Sequence, residues 1–256
     1  MENVSLISLY SGSKGNCTYI RYGEDEILID AGRSFKALSS ALTGIGSGID
    51  RIKAIFITHE HSDHISALEM ISKKFNIPIH VTEESSKKIL ATTSYVKNNI
   101  IRHTPLFEEQ IGGMTVRSFP TPHDSDMSVG YTIGLPSGEK IGYATDIGHI
   151  TSTIRENLLG SSAVVIESNH DLDMLKHGPY PAWLKVRIGS SNGHLSNADC
   201  SAFLPELIAS GTKDILLAHL SDENNSPDTA LSCAKCVCCD GFHICVAKEN
   251  EPTRLL

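Results

Sequence analysis

The densest chemistry in this chain sits in one heptapeptide, Thr58-His59-Glu60-His61-Ser62-Asp63-His64. Three histidines and an aspartate fall within six positions, directly after the apolar run Ala54-Ile55-Phe56-Ile57. Imidazole and carboxylate are the ligands that divalent zinc, manganese and iron accept. Extended alternation points His59 and His61 to the same side, and the start of a helix fixes the residues that follow. The bland alternative is a solvated polar turn. Three further residues share the setting of an apolar strand's end: His123 after Phe119-Pro120-Thr121-Pro122, Asp146 after Ile141 to Thr145, and His219 after Ile215 to Ala218. Each alone is a weak signal. Their common placement matters more, because metal ligands must converge to about 2.0–2.2 Å from one ion. Asp30, closing an early strand, has the same position, with a strand-end turn acid as its plain reading.

The elements that would position these residues are legible in outline. Apolar stretches of strand length span Val4 to Leu9, Cys17 to Tyr22 and Glu26 to Ile29, separated by turn-forming Ser11 to Asn16 and Gly23-Glu24-Asp25. A helix is predicted from Phe35 to Leu42, a buried strand from Ala54 to Ile57 and a second helix from Ile65 to Phe75. Strands follow at Met114 to Phe119, Val129 to Leu135 and Ile141 to Ala144. Beyond them, strands Ala163 to Ile166 and Ile215 to Ala218 alternate with helices Ala198 to Ala209 and Pro227 to Ala234. Strand meanders giving way to β/α alternation suggest an α+β sandwich of mixed sheets with helices outside.

Composition narrows the partners. The 256 residues carry 22 Lys plus Arg against 30 Asp plus Glu, a net charge of −8. That excludes a broadly basic coat for gripping nucleic acid and leaves room for a local basic patch. No run approaches the ~20 apolar residues of a membrane span, and Met1 to Ser5 lacks the features of a signal peptide. Seven cysteines, an odd number without an export signal, fit a reducing cytoplasm. The crowd at Cys233, Cys236, Cys238, Cys239 and Cys245 lacks a second Cys-x-x-Cys pair and reads as packing thiols. His80, His103, His177 and His243 are assigned no chemistry, and His149 a place on the pocket's polar rim.

The ordered set His59-x-His61-x-Asp63-His64, His123, Asp146 and His219, with Asp30, resembles the motif series of the metallo-β-lactamase superfamily. The resemblance implies a single domain over 1–256, a four-layer αβ/βα sandwich, and two metal ions at the edge between its sheets. By the same resemblance His59, His61 and His123 hold one metal, Asp63, His64 and His219 hold the other, Asp146 bridges them, and Asp30 supports the His-rich loop. Asp146 stands where the best-known lactamases have cysteine, which disfavours antibiotic hydrolysis. His61 departs from the flavodiiron pattern. The span from Asp146 to His219 is too short for the inserted domain of the β-CASP nucleases.

Two segments, Val164 to Asp171 and Gly193-His194-Leu195-Ser196-Asn197, resemble the Glu and Gly-His-Ser/Thr motifs of tRNA 3′-processing nucleases. There Glu167 and His194 would deliver a proton to the leaving group; their plain readings are a strand-end acid and a loop residue before a helix that Asn197 would cap. Together with Ser11 to Asn16 and His219 to Asn225, they are similar to the YycJ (WalJ) branch, bacterial cytoplasmic metallo-hydrolases regarded as DNA 5′–3′ exonucleases linked to repair. The expectation is a phosphodiesterase in which a metal-bridging hydroxide attacks phosphorus, Asp63 orients it, and His194 with Glu167 protonates the leaving oxygen. DNA is favoured over RNA as substrate. Lys176, Lys185 and Arg187 would contact backbone phosphates, or form a solvated charged face. The competing readings are a hydrolase of a thioester, lactone or cyclic nucleotide, and a non-catalytic metal-binding module.

Overall fold

In a computed structural model, residues 4–237 and 241–256 are described. They divide into two compact units, one comprising 4–116, 125–128 and 248–256, the other 117–124, 129–237 and 241–247.

The first unit is organised around a seven-stranded sheet. Its strands are β1 (Val4–Tyr10), β2 (Cys17–Tyr22), β3 (Asp25–Ile29), β4 (Ile52–Phe56), β5 (Ile79–Thr82) and β6 (Ile100–His103), with a late short strand, Thr253–Arg254, beside β1. β1 to β3 meander antiparallel, whereas β3 to β6 run parallel. Parallel neighbours need crossover segments. These are the helices α1 (Phe35–Gly44), α2 (Ser62–Ile65), α3 (Leu68–Lys74) and α4 (Glu83–Thr92). Ile7, Leu28, Ile55, Ile79 and Val81 from the sheet pack with Leu38 and Leu42 of α1, Ile71 of α3 and Ile89 of α4 in one core.

A second seven-stranded sheet has β7 (Glu108–Ile111) and β8 (Met114–Pro120) at one edge, followed by β9 (Val129–Gly134), β10 (Lys140–Ala144), β11 (Ala163–Glu167), β12 (Asp214–Ala218) and β13 (His243–Val246). The division between units falls within β8. β10 to β13 are parallel, and Ala-Val-Val-Ile-Glu of β11 is buried throughout, the continuous apolar signature of a strand covered on both faces. Helices α5 (Ser152–Leu158), α6 (Leu172–His177), α7 (Ala182–Ile188), α8 (Asn197–Ala209) and α9 (Pro227–Val237) belong with β9 to β13 to the second unit. Phe203, Leu204 and Leu207 of α8 pack with Val164, Ile166, Ile215 and Leu217.

Two expectations need correction. The helix read from Ile65 to Phe75 is two helices, because Ala67 N–H leaves the helical ladder and donates to Ala31 O at 2.9 Å. Asn197 is not the cap of α8: Ser196 accepts from Asp199 N at 3.0 Å. Asn197 instead accepts hydrogen bonds from Ser168 Oγ (2.6 Å) and Asn225 Nδ2 (2.9 Å), tying together the loops after β11 and β12. The stretch 79–111 and the segments α5, α6, α7 and β13 form elements that periodicity left unread.

Cys17, Cys200, Cys233, Cys236 and Cys245 are free thiols. Cys238 and Cys239 lie outside the described residues. No helix among the described residues is long and apolar enough to cross a membrane.

Candidate metal centre

In the first unit, β4 ends at Phe56 and the chain turns through the His-rich loop into α2. Asp30, at the end of β3, is the anchor of that turn. It is fully buried and accepts from Thr58 N and Thr58 Oγ1, both at 2.8 Å, and from His64 Nδ1 at 2.7 Å. Burial raises the Asp30 carboxyl's pKa, with His64 and Thr58 acting in the opposite direction. His59 Nδ1 bonds Thr58 Oγ1 at 3.0 Å, and His59 Nε2 comes within 3.0 Å of His61 Nδ1. Asp63 Oδ2 stands 3.2 Å from His64 Nε2.

Two supports of this loop escaped the sequence reading. Asn16 donates to Asp63 Oδ2 at 3.1 Å and lies 3.1 Å from His64 Nε2, while its own backbone N–H donates to Asp63 O at 2.8 Å. The approach is close enough that a Cβ on Gly32 would fall 1.5 Å from Asp63 O, so only glycine fits. Glu60, the unassigned residue between the first two histidines, is buried and accepts from Ser85 Oγ (2.7 Å), Asp126 N (3.0 Å) and Lys88 Nζ (3.1 Å). Burial raises the Glu60 carboxyl, but these donors outweigh it and leave its pKa lowered. Asn16 closes the turn-forming stretch Ser11 to Asn16, and its place in that motif is the signal that points to it.

In the second unit the groups come from separate strand ends. Asp146 follows β10, Glu167 ends β11, His219 follows β12, and His123 and His194 sit on loops after β8 and before α8. Glu167 is their hub. Its Oε1 accepts from His194 Nδ1 at 2.7 Å and His219 Nδ1 at 3.0 Å; its Oε2 accepts from Ile147 N (2.7 Å) and Leu195 N (3.2 Å). Burial pushes this carboxyl's pKa up, yet His194 and His219 more than offset it and hold it well below the ordinary carboxylate range. Asp146 Oδ1 lies 3.5 Å from His219 Nε2, 3.7 Å from His194 Nδ1 and 3.9 Å from His123 Nε2. His123 Nδ1 bonds Gly193 O at 3.2 Å, and burial lowers its pKa, with Asp146 opposing.

Asp30, Asp146 and His219 share a backbone signature. They are the non-glycine residues with positive φ among the described residues, at 61°, 55° and 57°. Such torsions cost an L-residue on the order of 1–2 kcal/mol, and strain of this kind concentrates at functional sites.

The donors fit divalent metal ions. In His64 and His219 the Nδ1 is held by a buried carboxylate, in His123 by a carbonyl and in His59 by a hydroxyl, so that Nε2 would be the nitrogen each offers to a metal. In the second unit, ligand atoms of Asp146, Glu167, His194 and His219 all lie within 4.8 Å of one another.

The residues expected to meet phosphates lie on α6 and α7. Arg187 forms an ion pair with Asp124, and Lys185 Nζ donates to Lys176 O at 2.9 Å. His149 is exposed and bonds Ser191 O at 2.9 Å.

The class now follows. Residues 25–219 match the family described as the β-lactamase superfamily domain, and the chain belongs to that superfamily, in its metal-dependent hydrolase branch. Its relatives are more specific. The chain is 33% identical over 231 residues to exodeoxyribonuclease YycJ of Bacillus anthracis, covering 87% of this chain and 84% of that one. It is 31% identical over 226 residues to exodeoxyribonuclease WalJ of Streptococcus pneumoniae, covering 87% and 83%. The fold matches the metallo-β-lactamase fold protein YhfI of Bacillus subtilis with a TM-score of 0.74 at 17% identity, over 99% of this chain and 100% of that one.

Proposed function

We propose that this chain is a phosphodiesterase that degrades DNA from an end, with two divalent metal ions as cofactors. Its relatives named as exodeoxyribonucleases support the substrate class. The observation that carries the chemistry is the shared carboxylate of Glu167, which accepts from His194 and His219 together. One of these histidines is a proposed ligand and the other a proposed proton donor.

In the proposed ligand set, His59, His61 and His123 hold one ion, Asp63, His64 and His219 hold the second, and Asp146 serves both. Zinc, manganese and iron all suit these donors. When bound, such ions neutralise phosphate charge and acidify water. The chain's own residues do the rest. Asp63, steadied by Asn16 at 3.1 Å, orients the attacking water and accepts its proton. Glu167, by accepting from His194 Nδ1, directs His194 Nε2 at the leaving oxygen, where it supplies the proton. One catalytic domain over 1–256 is part of this proposal, and the superfamily match covers residues 25–219 of it. A cytoplasmic role in bacterial DNA repair accords with the branch.

The test is digestion of end-labelled single- and double-stranded DNA and RNA by metal-reconstituted protein, with a lactone and a glutathione thioester alongside. Stepwise shortening of DNA is the expected result. Turnover of the thioester or lactone with every phosphodiester untouched would overturn it.

A further inference from the structure

Unit two exposes an apolar face that its fold does not explain. Trp183 and Val186 of α7 are 68% and 73% exposed, more than any other large apolar side chain among the described residues. Their i, i+3 spacing, with Arg187 at i+4, puts all three on one side of the helix. Burial would normally hide such a face.

Two lysines stand beside it, Lys176 on α6 and Lys185 on α7, and neither forms an ion pair among the described residues, whereas Arg187 is paired with Asp124. The helix is also fastened to the catalytic groups of its own unit. His194 N–H donates to Ile188 O at 2.8 Å. A Cβ on Gly193 would fall 2.1 Å from Ile188 O and 2.3 Å from Arg187 O, so the His194 loop closes on α7 only because glycine stands there. Arg187 pairs with Asp124, next to His123, and His123 Nδ1 bonds Gly193 O at 3.2 Å. Trp183 therefore sits on a helix bonded to the loops of His123 and His194, about 7.5 Å along it from Ile188.

We infer that Trp183, flanked by Val186 and Arg187, is a stacking platform for an unpaired base of the strand being cut. The inference rests on the nucleic-acid reading of the site. An exposed indole beside cations suits single strands, because every base offers a π-face and the backbone needs positive charge. A protein partner would be served by the apolar pair alone and would leave Lys176 and Lys185 unexplained.

The chain contains a single tryptophan, so its fluorescence reports on this position alone. The experiment titrates the metal-loaded protein with a single-stranded phosphorothioate oligothymidylate, and with its duplex. Affinity is measured separately from the anisotropy of a labelled oligonucleotide. The single strand should quench Trp183 saturably and the duplex should quench it much less. Trp183→Ala should weaken single-strand binding about 5- to 150-fold. Trp183→Phe should recover most of that loss, and Tyr95→Ala, an exposed aromatic of the first unit, should cause none. Tight binding and normal DNA degradation without quenching, and unchanged by Trp183→Ala, would overturn the platform and leave the nuclease reading standing. A change in oligomeric state in Trp183→Ala with DNA affinity intact would assign the face to protein contact and overturn it equally. Failure of any oligonucleotide to bind or be cut would defeat both readings.

Discussion

The donors of the first unit come from six consecutive residues, His59 to His64, whereas those of the second are spread from His123 to His219. The consequence shows in how each set is held. The first is fixed by several partners from distant parts of the chain, with Asp30 bracing Thr58 and His64, Asn16 bracing Asp63, and Ser85, Lys88 and Asp126 bracing Glu60. The second converges through one side chain, Glu167, whose two oxygens receive four hydrogen bonds from three loops. A contiguous loop distributes its support, and a dispersed cluster concentrates it. Single substitutions should therefore damage the two sets differently.

The largest effect is expected at Asp146, placed within 4 Å of three histidines. Asp146→Ala should lower metal content by more than one equivalent and turnover by on the order of 10⁴-fold. Elemental analysis checks the first, and two retained metals would remove Asp146 from its shared role.

Next come the partners of the hub. His194→Ala should keep its metals and lose roughly 10²–10⁴-fold on DNA, with a smaller loss on a nitrophenyl phosphodiester whose leaving group needs no proton. Glu167→Ala should lose as much and, by releasing His219, should also weaken metal binding about 10- to 100-fold. Equal metal affinity in the two variants would break the contrast between hub and spoke.

The first unit should show its own sensitivity to acid. His80 on β5 is buried against Phe56 and bonded to His103 at 3.0 Å, and burial followed by His103 lowers its pKa to about 4. The unfolded chain takes up this proton near pH 6.5 and the folded chain does not, so stability should fall as pH drops from 6.5 towards 4. The loss from this group reaches about 3 kcal/mol. Urea unfolding across that range checks it, and His80→Phe should flatten the dependence.

The smallest effect is expected where support is shared. Asp30→Asn keeps the shape of the anchor and removes its charge. It should weaken metal binding at the His-rich loop about 10-fold, measured by chelator competition.

These differences also explain what the sequence disclosed. The His-rich loop was legible because its chemistry is local. Asp146 and His219 were legible because each follows an apolar run that ends abruptly. Glu60 and Asn16 were not, since a carboxylate between two histidines acquires meaning only when Ser85, Lys88 and Asp126 arrive from elsewhere in the chain. The break between α2 and α3 was hidden for the same reason: the apolar spacing continues through it, while Ala67 bonds to Ala31. Strands such as β7, with the sequence Glu-Glu-Gln-Ile and alternating exposure, offer too little apolar signal to be seen.

The left-handed torsions of Asp30, Asp146 and His219 are springs held shut by their neighbours. Glycine would relax the backbone at each position by about 1–2 kcal/mol, but at His219 it would also take a donor from buried Glu167 and leave an empty space, losses that outweigh the relief. A breeder selecting variants of this chain for heat tolerance alone would thus gain nothing from His219→Gly, since the tool is also a beam of the house.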